Sequence, residues 1–174
     1  MAGNEHAFED LREYRLEHAD EEAMLLEQTE CTFIWANREG WPVGVIMAYL
    51  WRDGRFWLTA AAGRARVKAV ARDPRVSICV SSLGTTQGAQ RTVTYKGMCR
   101  VLDDAETKAW FYPALAAALI PGDQRFQQGF ERFLDSPDRV VLEVEPGQRI
   151  DHDGVKMLKA TLAWIAEEEA AGAG

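Results

Sequence analysis

The segment Trp41–Ser81, WPVGVIMAYLWRDGRFWLTAAAGRARVKAVARDPRVSICVS, decides how the rest of the chain is read. It parses as strand, tight turn, strand, short basic helix, strand. The turn is Asp53-Gly54, a pair favoured where a two-residue hairpin needs positive φ. Before it, Val45, Met47, Tyr49 and Trp51 fall on one face of a strand and Ile46, Ala48 and Leu50 on the other. After it, Phe56 and Leu58 oppose Trp57. A sheet wet on one side alternates apolar with polar, so two apolar faces imply cover on both. A small barrel meets that demand: one face fills the interior and the other lies under helices or a second subunit. The basic segment that follows sits at a strand-to-helix corner, where unpaired N–H groups of the first turn can meet an anion. Asp73-Pro74 ends that helix, because the residue before proline disfavours the α region.

Outward from this segment, residues 6–18 are expected to form a short amphipathic helix. Asp20 is expected to cap a second one through EEAMLLEQ. CTFIWANR then puts Phe33 and Trp35 on one face of a strand. Downstream, RVSICVSS is a strand, LGTTQGAQ a Gly- and Thr-rich loop, and RTVTYKGMCRVLDD a long strand. Asp103 or Asp104 caps a helix that Pro113 interrupts or bends. A further amphipathic helix runs to about Leu134, a last strand covers 138–145, and a terminal helix covers 154–169. The expected fold is α+β, a predominantly antiparallel six-stranded barrel with peripheral helices, and the resemblance given below makes it a split barrel. As organised units, this is one domain over 1–174, with a helical extension at 1–29, a barrel core at 30–153 and the C-terminal helix.

Composition narrows the function classes. The chain has 174 residues, 47% hydrophobic and 27% charged, with no apolar run approaching the roughly 20 residues of a membrane helix. The polar, acidic start is unlike a targeting peptide, so a cytoplasmic location is the default expectation. A net charge of −7 argues against nucleic acid as a partner. The positive residues nevertheless collect at Arg64, Arg66, Lys68, Arg72 and Arg75, which keeps a local anion site open. Cys31, Cys79 and Cys99 are widely spaced within apolar runs and read as buried, inert thiols rather than metal ligands. No G-x-G-x-x-G or P-loop pattern follows a strand, and no Ser/His/acid or H-E-x-x-H arrangement is present. No catalytic side chain and no metal ligand is nominated.

The order of elements, with G-W-P-V-G-V-I-M at 40–47, D-G-R-F-W-L-T at 53–59, G-R-A-R-V-K at 63–68, R-D-P-R-V-S-I at 72–78 and Y-K-G-M-C-R-V at 95–101, resembles the flavin-binding split-barrel superfamily. That group includes pyridoxamine 5′-phosphate oxidases and deazaflavin-dependent reductases. The resemblance implies a homodimer with FMN between subunits and an oxidoreductase acting on a small-molecule substrate. It implies that the backbone of Val45, Ile46, Met47 and Ala48 passes along the isoalloxazine edge. It also implies that Thr59, Ala60 and the basic segment with Arg64, Arg66 and Lys68 hold the phosphate end. Arg66 falls where the family commonly has a phosphate-binding lysine, and its planar fork can bind phosphate in two-pronged fashion. Thr92 falls where some oxidases place a flavin-contacting glutamine. R-I-D-H-D-G-V-K-M, with His152 and Lys156, resembles a segment that closes over the cofactor in some relatives.

The helical count limits the basic cluster. At 100° per residue Arg64 and Lys68 lie within about 40° of each other, whereas Arg66 is about 200° from Arg64. Arg64 can join Arg66 only if it precedes the first helical turn. Val67, Val70 and Ala71 define the expected buried side. Two alternatives stand beside FMN chemistry: a reductase using the deazaflavin coenzyme, whose acidic tail suits the surplus of arginine, and a flavin- or haem-binding carrier or sensor without turnover.

Overall fold

A computed structural model describes residues 10–88 and 90–172. Six strands, β1 (Glu30–Ala36), β2 (Pro42–Arg52), β3 (Arg55–Ala61), β4 (Arg75–Ser81), β5 (Arg91–Leu102) and β6 (Arg139–Asp153), close into a barrel in the order β1-β2-β3-β6-β5-β4. Every neighbouring pair is antiparallel. The helices are α1 (His18–Glu27), α2 (Ala65–Arg72), α3 (Ala105–Leu119), α4 (Gln124–Leu134) and α5 (Gly154–Gly172). The β2–β3 turn has Asp53 and Gly54 at φ 54° and 69°, the conformation that the Asp-Gly pair supplies.

Alternation along the strands builds the core. Phe33, Tyr49, Phe56, Leu58, Ile78 and Leu142 point inward and are fully buried. The Tyr49 and Phe56 rings lie 5.3 Å apart, and the buried Tyr49 hydroxyl donates to Leu25 O at 3.0 Å, tying α1 to the barrel. A second core covers part of the outer face. Phe111, Tyr112 and Leu115 of α3 and Leu134 of α4 pack on Val141, against half-buried Leu50 and Trp57. Trp57 and Trp110 meet edge to face at 4.8 Å. The α3–α4 pair is thus the cover that two apolar strand faces demanded, but it stops short of Ile46, which stays 64% exposed.

Several expectations are corrected. Residues 6–9 lie outside the described residues, and the rest of the first expected helix is only a 3₁₀ turn at Leu11–Tyr14. Tertiary contacts hold the chain extended after it: Leu16 N donates to the Asp151 carboxylate at 2.8 Å and Lys156 Nζ to Arg15 O at 2.9 Å. Asp20 lies inside the first turn of α1, whose N-cap is Glu17. Asp104 caps α3, accepting from Thr107 N at 2.7 Å, and Pro113 lies within the continuous helix. Because α2 lies against β1 and β5, Ala69 is buried with Val67 and Val70 while Ala71 is exposed. Cys79 faces outward and is half-buried; Cys31 and Cys99 are buried. The last strand continues past 145 to Asp153, and the terminal helix runs to Gly172.

Candidate cofactor site

The barrel opens between two adjacent strands. The β2–β3 ladder runs from Arg52↔Arg55 to Tyr49↔Leu58 and stops there. β2 nevertheless continues back to Pro42 along β1, and β3 continues to Ala61 along β6. Tyr49 donates its N–H to Thr29 O, on the β1 side, at 3.0 Å. Amide directions alternate along an antiparallel strand, so Gly44, Ile46 and Ala48 turn their polar groups away from β1 and into the gap. Thr59 and the N–H of Ala61 face it from the other bank by the same alternation. A strand edge without a ladder partner is an unfilled demand for hydrogen bonds.

The gap ends where β3 turns into α2. Ala62 N donates to Asp138 O at 2.6 Å and Arg64 N to Ala61 O at 3.0 Å, forming a tight corner. Arg64 is the N-cap, in extended conformation and without a side-chain cap bond, so it precedes the first helical turn as the angular argument required. Arg66 is half-buried, and its Nε has no hydrogen-bond partner among the described residues. Burial holds this guanidinium below its ordinary pKa, and the charges of Arg64 and Arg139 push in the same direction. Arg139, at the start of β6 opposite Ala61, also has a buried Nε without a partner. The sequence reading missed it, because 73 residues separate it from Arg66 and only strand register brings them together.

The other expected residues divide. Ile46 and Ala48 bring backbone to the gap. Met47 is buried in the barrel and Val45 is half-buried against the same core; both turn their amides toward β1. Ala60 is 1% exposed, inside the barrel and paired with Val140. The Thr59 hydroxyl donates to Val140 O at 2.9 Å, which leaves its main-chain N–H for the gap. The Tyr112 hydroxyl lies beside Thr59 without reaching hydrogen-bond geometry. Lys68 is exposed, one turn beyond Arg64.

Thr92 is not part of this assembly. Thr59 opposes Val141, Val141 opposes Leu102, and Thr92 begins the same strand that Leu102 ends, roughly 33 Å away along it. His152 pairs with Thr92 at that far end. Lys156 is engaged with Glu17 at 2.6 Å, fastening the start of α1 to α5. Asp153, also missed, is fully buried and caps α5, accepting from Val155 N at 3.0 Å.

A cavity of about 700 Å³ lies elsewhere, at the barrel end lined by Trp35, Pro42, Val76, Met98 and Pro146. Its polar rim is satisfied internally: Arg75 pairs with Asp73 at 2.7 Å, and Lys96 Nζ donates to Gln148 at 3.2 Å. The gap has strand edges without a ladder partner, and the corner beside it gathers arginines with unpartnered Nε groups and no carboxylate among the described residues, so together they form the candidate site.

A closed antiparallel barrel split between two neighbouring strands, with a short basic helix at the split, defines a split-barrel protein. The family model described as pyridoxamine 5′-phosphate oxidase matches residues 20–153, and the chain belongs to that family. Among solved structures, a conserved hypothetical protein of Mycobacterium tuberculosis aligns with a TM-score of 0.71 at 18% identity, covering 83% of this chain and 89% of that one. An F420 reductase aligns at 0.58 and 18% identity, covering 74% and 94%. An FAD-binding protein of Mesorhizobium loti aligns at 0.57 and 16%, covering 77% and 90%. At these identities the likeness is one of fold. Curated proteins give no sequence match.

Proposed function

We propose that the gap between β2 and β3 holds a flavin-type cofactor, FMN in the leading reading, and that the protein is an oxidoreductase acting on a small molecule. The observation that carries this is the meeting of two unmet demands: strand edges without a ladder, and arginine Nε groups without a hydrogen-bond partner among the described residues beside the adjoining helix start. A planar, amide-rich ring fits the first and a phosphoryl group the second. When bound, a flavin supplies the hydride chemistry, and the protein supplies position, electrostatics and exclusion of water. Main-chain groups of Ile46 and Ala48 meet the ring edge. Arg66 and the free N–H groups of the first turn of α2 meet the phosphoryl oxygens. Arg64, outside the helix, adds positive charge to the same corner.

The assembly proposed is a homodimer. Trp41 and Ile46 are 68% and 64% exposed beside the open strand, and a second subunit would cover them. Thr92 can touch a cofactor held at Arg66 only if it comes from the other subunit, because within one chain it stands at the opposite end of the barrel.

The deazaflavin coenzyme is the second reading. Three arginines exceed what one phosphoryl dianion needs, and an F420 reductase shares the fold. The absorption spectrum of the purified protein, followed by titration with FMN, the deazaflavin coenzyme and haem, tests these readings together. Saturable FMN uptake at one per subunit is expected. Selective deazaflavin uptake favours the second reading, and selective haem uptake moves the protein to a carrier or sensor role. Uptake of none of the three contradicts the site.

A further inference from the structure

We propose that Arg139 joins Arg66 in holding the phosphoryl group, so that the cofactor's anion is gripped from a strand edge as well as from a helix, and that Phe133 is the residue that positions Arg139. The proposal rests on the reading that a flavin-type cofactor presents its phosphoryl end at the start of α2.

Three features of the chain point to it. Arg139 opposes Ala61 in the β3–β6 ladder, three residues before the N-cap of α2. Its guanidinium therefore rises beside the corner where Arg64 and Arg66 stand. Its Nε is buried without a hydrogen-bond partner, as is the Nε of Arg66, and none of the three arginines has a carboxylate within ion-pair distance among the described residues. Elsewhere on the barrel half-buried arginines are paired: Arg55 with Glu143 and Glu145, Arg91 with Asp20 and Asp153, Arg149 with Glu21 and Asp151. The corner is the exception to that pattern.

Like charges collected at a partly desolvated site repel, and a bound anion removes the cost. The mutual effect is visible in Arg66, whose pKa is lowered first by burial and then by Arg64 and Arg139. Arg139 does not float there. Its guanidinium lies over the Phe133 ring, 5.5 Å from the centroid, so α4 sets its position through a cation–π contact. Two planar forks converging from different elements suit the tetrahedral oxygens of a phosphoryl group, which a single arginine can meet on one edge only. The helical insertion between β5 and β6 thereby acquires a part in cofactor recognition.

The test compares binding of FMN and of riboflavin, which lacks the phosphoryl group, to the wild type and to Arg66→Ala, Arg139→Ala, Arg139→Lys and Phe133→Ala. Melting curves check that each variant is folded. Arg139→Ala is expected to weaken FMN about tenfold or more, the size of one charge-assisted contact, and to leave riboflavin unchanged. Arg139→Lys keeps the charge and loses the fork, so a smaller loss is expected; Phe133→Ala should weaken FMN through the same residue and add little to Arg139→Ala. Full FMN affinity in Arg139→Ala, alongside a loss in Arg66→Ala, overturns the proposal and leaves the cofactor reading standing. Equal affinity of the wild type for FMN and riboflavin overturns the phosphoryl grip and leaves a flavin in the gap, whereas binding of neither overturns the FMN reading together with the proposal.

Discussion

Arg66 is the side chain on which the proposed site depends most. Its partly buried guanidinium lacks a partner at Nε, and its neighbours are cations rather than carboxylates. Replacing it by alanine removes one charge-assisted contact worth about 1.5–3 kcal/mol, so FMN affinity should fall roughly 10–150-fold with little change in melting temperature. Unchanged affinity in a titration would return Arg66 to an ordinary solvated charge. A second expectation concerns protons. Burial pushes the thiols of Cys31 and Cys99 up to about 12 from an ordinary value near 9, and Tyr95 up to about 12 from 10. All three hold their protons more tightly folded than unfolded. Their contribution to stability is complete below the ordinary values and is lost as pH rises through about 12. Denaturant midpoints should therefore fall steadily above about pH 9, and a thiol reagent at pH 8 should find only half-buried Cys79 in the native protein. Rapid labelling of three thiols would contradict that burial.

At the level of elements, the β6–α5 joint holds the most tightly enclosed of the described glycines. A Cβ on Gly154 would lie 2.5 Å from Gln90 Cβ and 2.6 Å from Gln90 O, at a residue already held at φ 76°. Gly154→Ala should cost about 1–3 kcal/mol by denaturant titration, as overpacking does; a neutral substitution would show that the β5 start moves freely. This joint also shows why parts of the chain were illegible in sequence. The central hairpin, α2 and the two-faced apolar strands were readable because alternation and Asp-Gly chemistry act locally. The far half of β6 was not, since EPGQRIDHD carries no apolar period: the ladder shifts register between Tyr95 and Gly97, and charged residues beyond it meet Glu21, Arg15 and Arg91. Arg66 and the backbone of Ile46 and Ala48 came from the resemblance to known split barrels. Arg139 came from neither source, because its place follows only from the β3–β6 register.

At the scale of the whole molecule, the gap is one-sided. α3 and α4 cover Leu50 and Trp57, yet Ile46 and Trp41 stay open beside the unpaired edge. Light scattering at micromolar concentration should therefore give twice the 19.5 kDa chain mass. A monomer that still binds FMN with full affinity would remove the second subunit from the site. The most direct test of the central claim is amide hydrogen exchange with and without saturating FMN. Slowed exchange concentrated in 43–48 and 59–66, the two banks of the gap and the corner that closes it, is the predicted result. Saturable binding with protection confined to the 700 Å³ cavity at the barrel end, over 34–42, 73–77 and 145–148, would place the cofactor elsewhere and contradict the account.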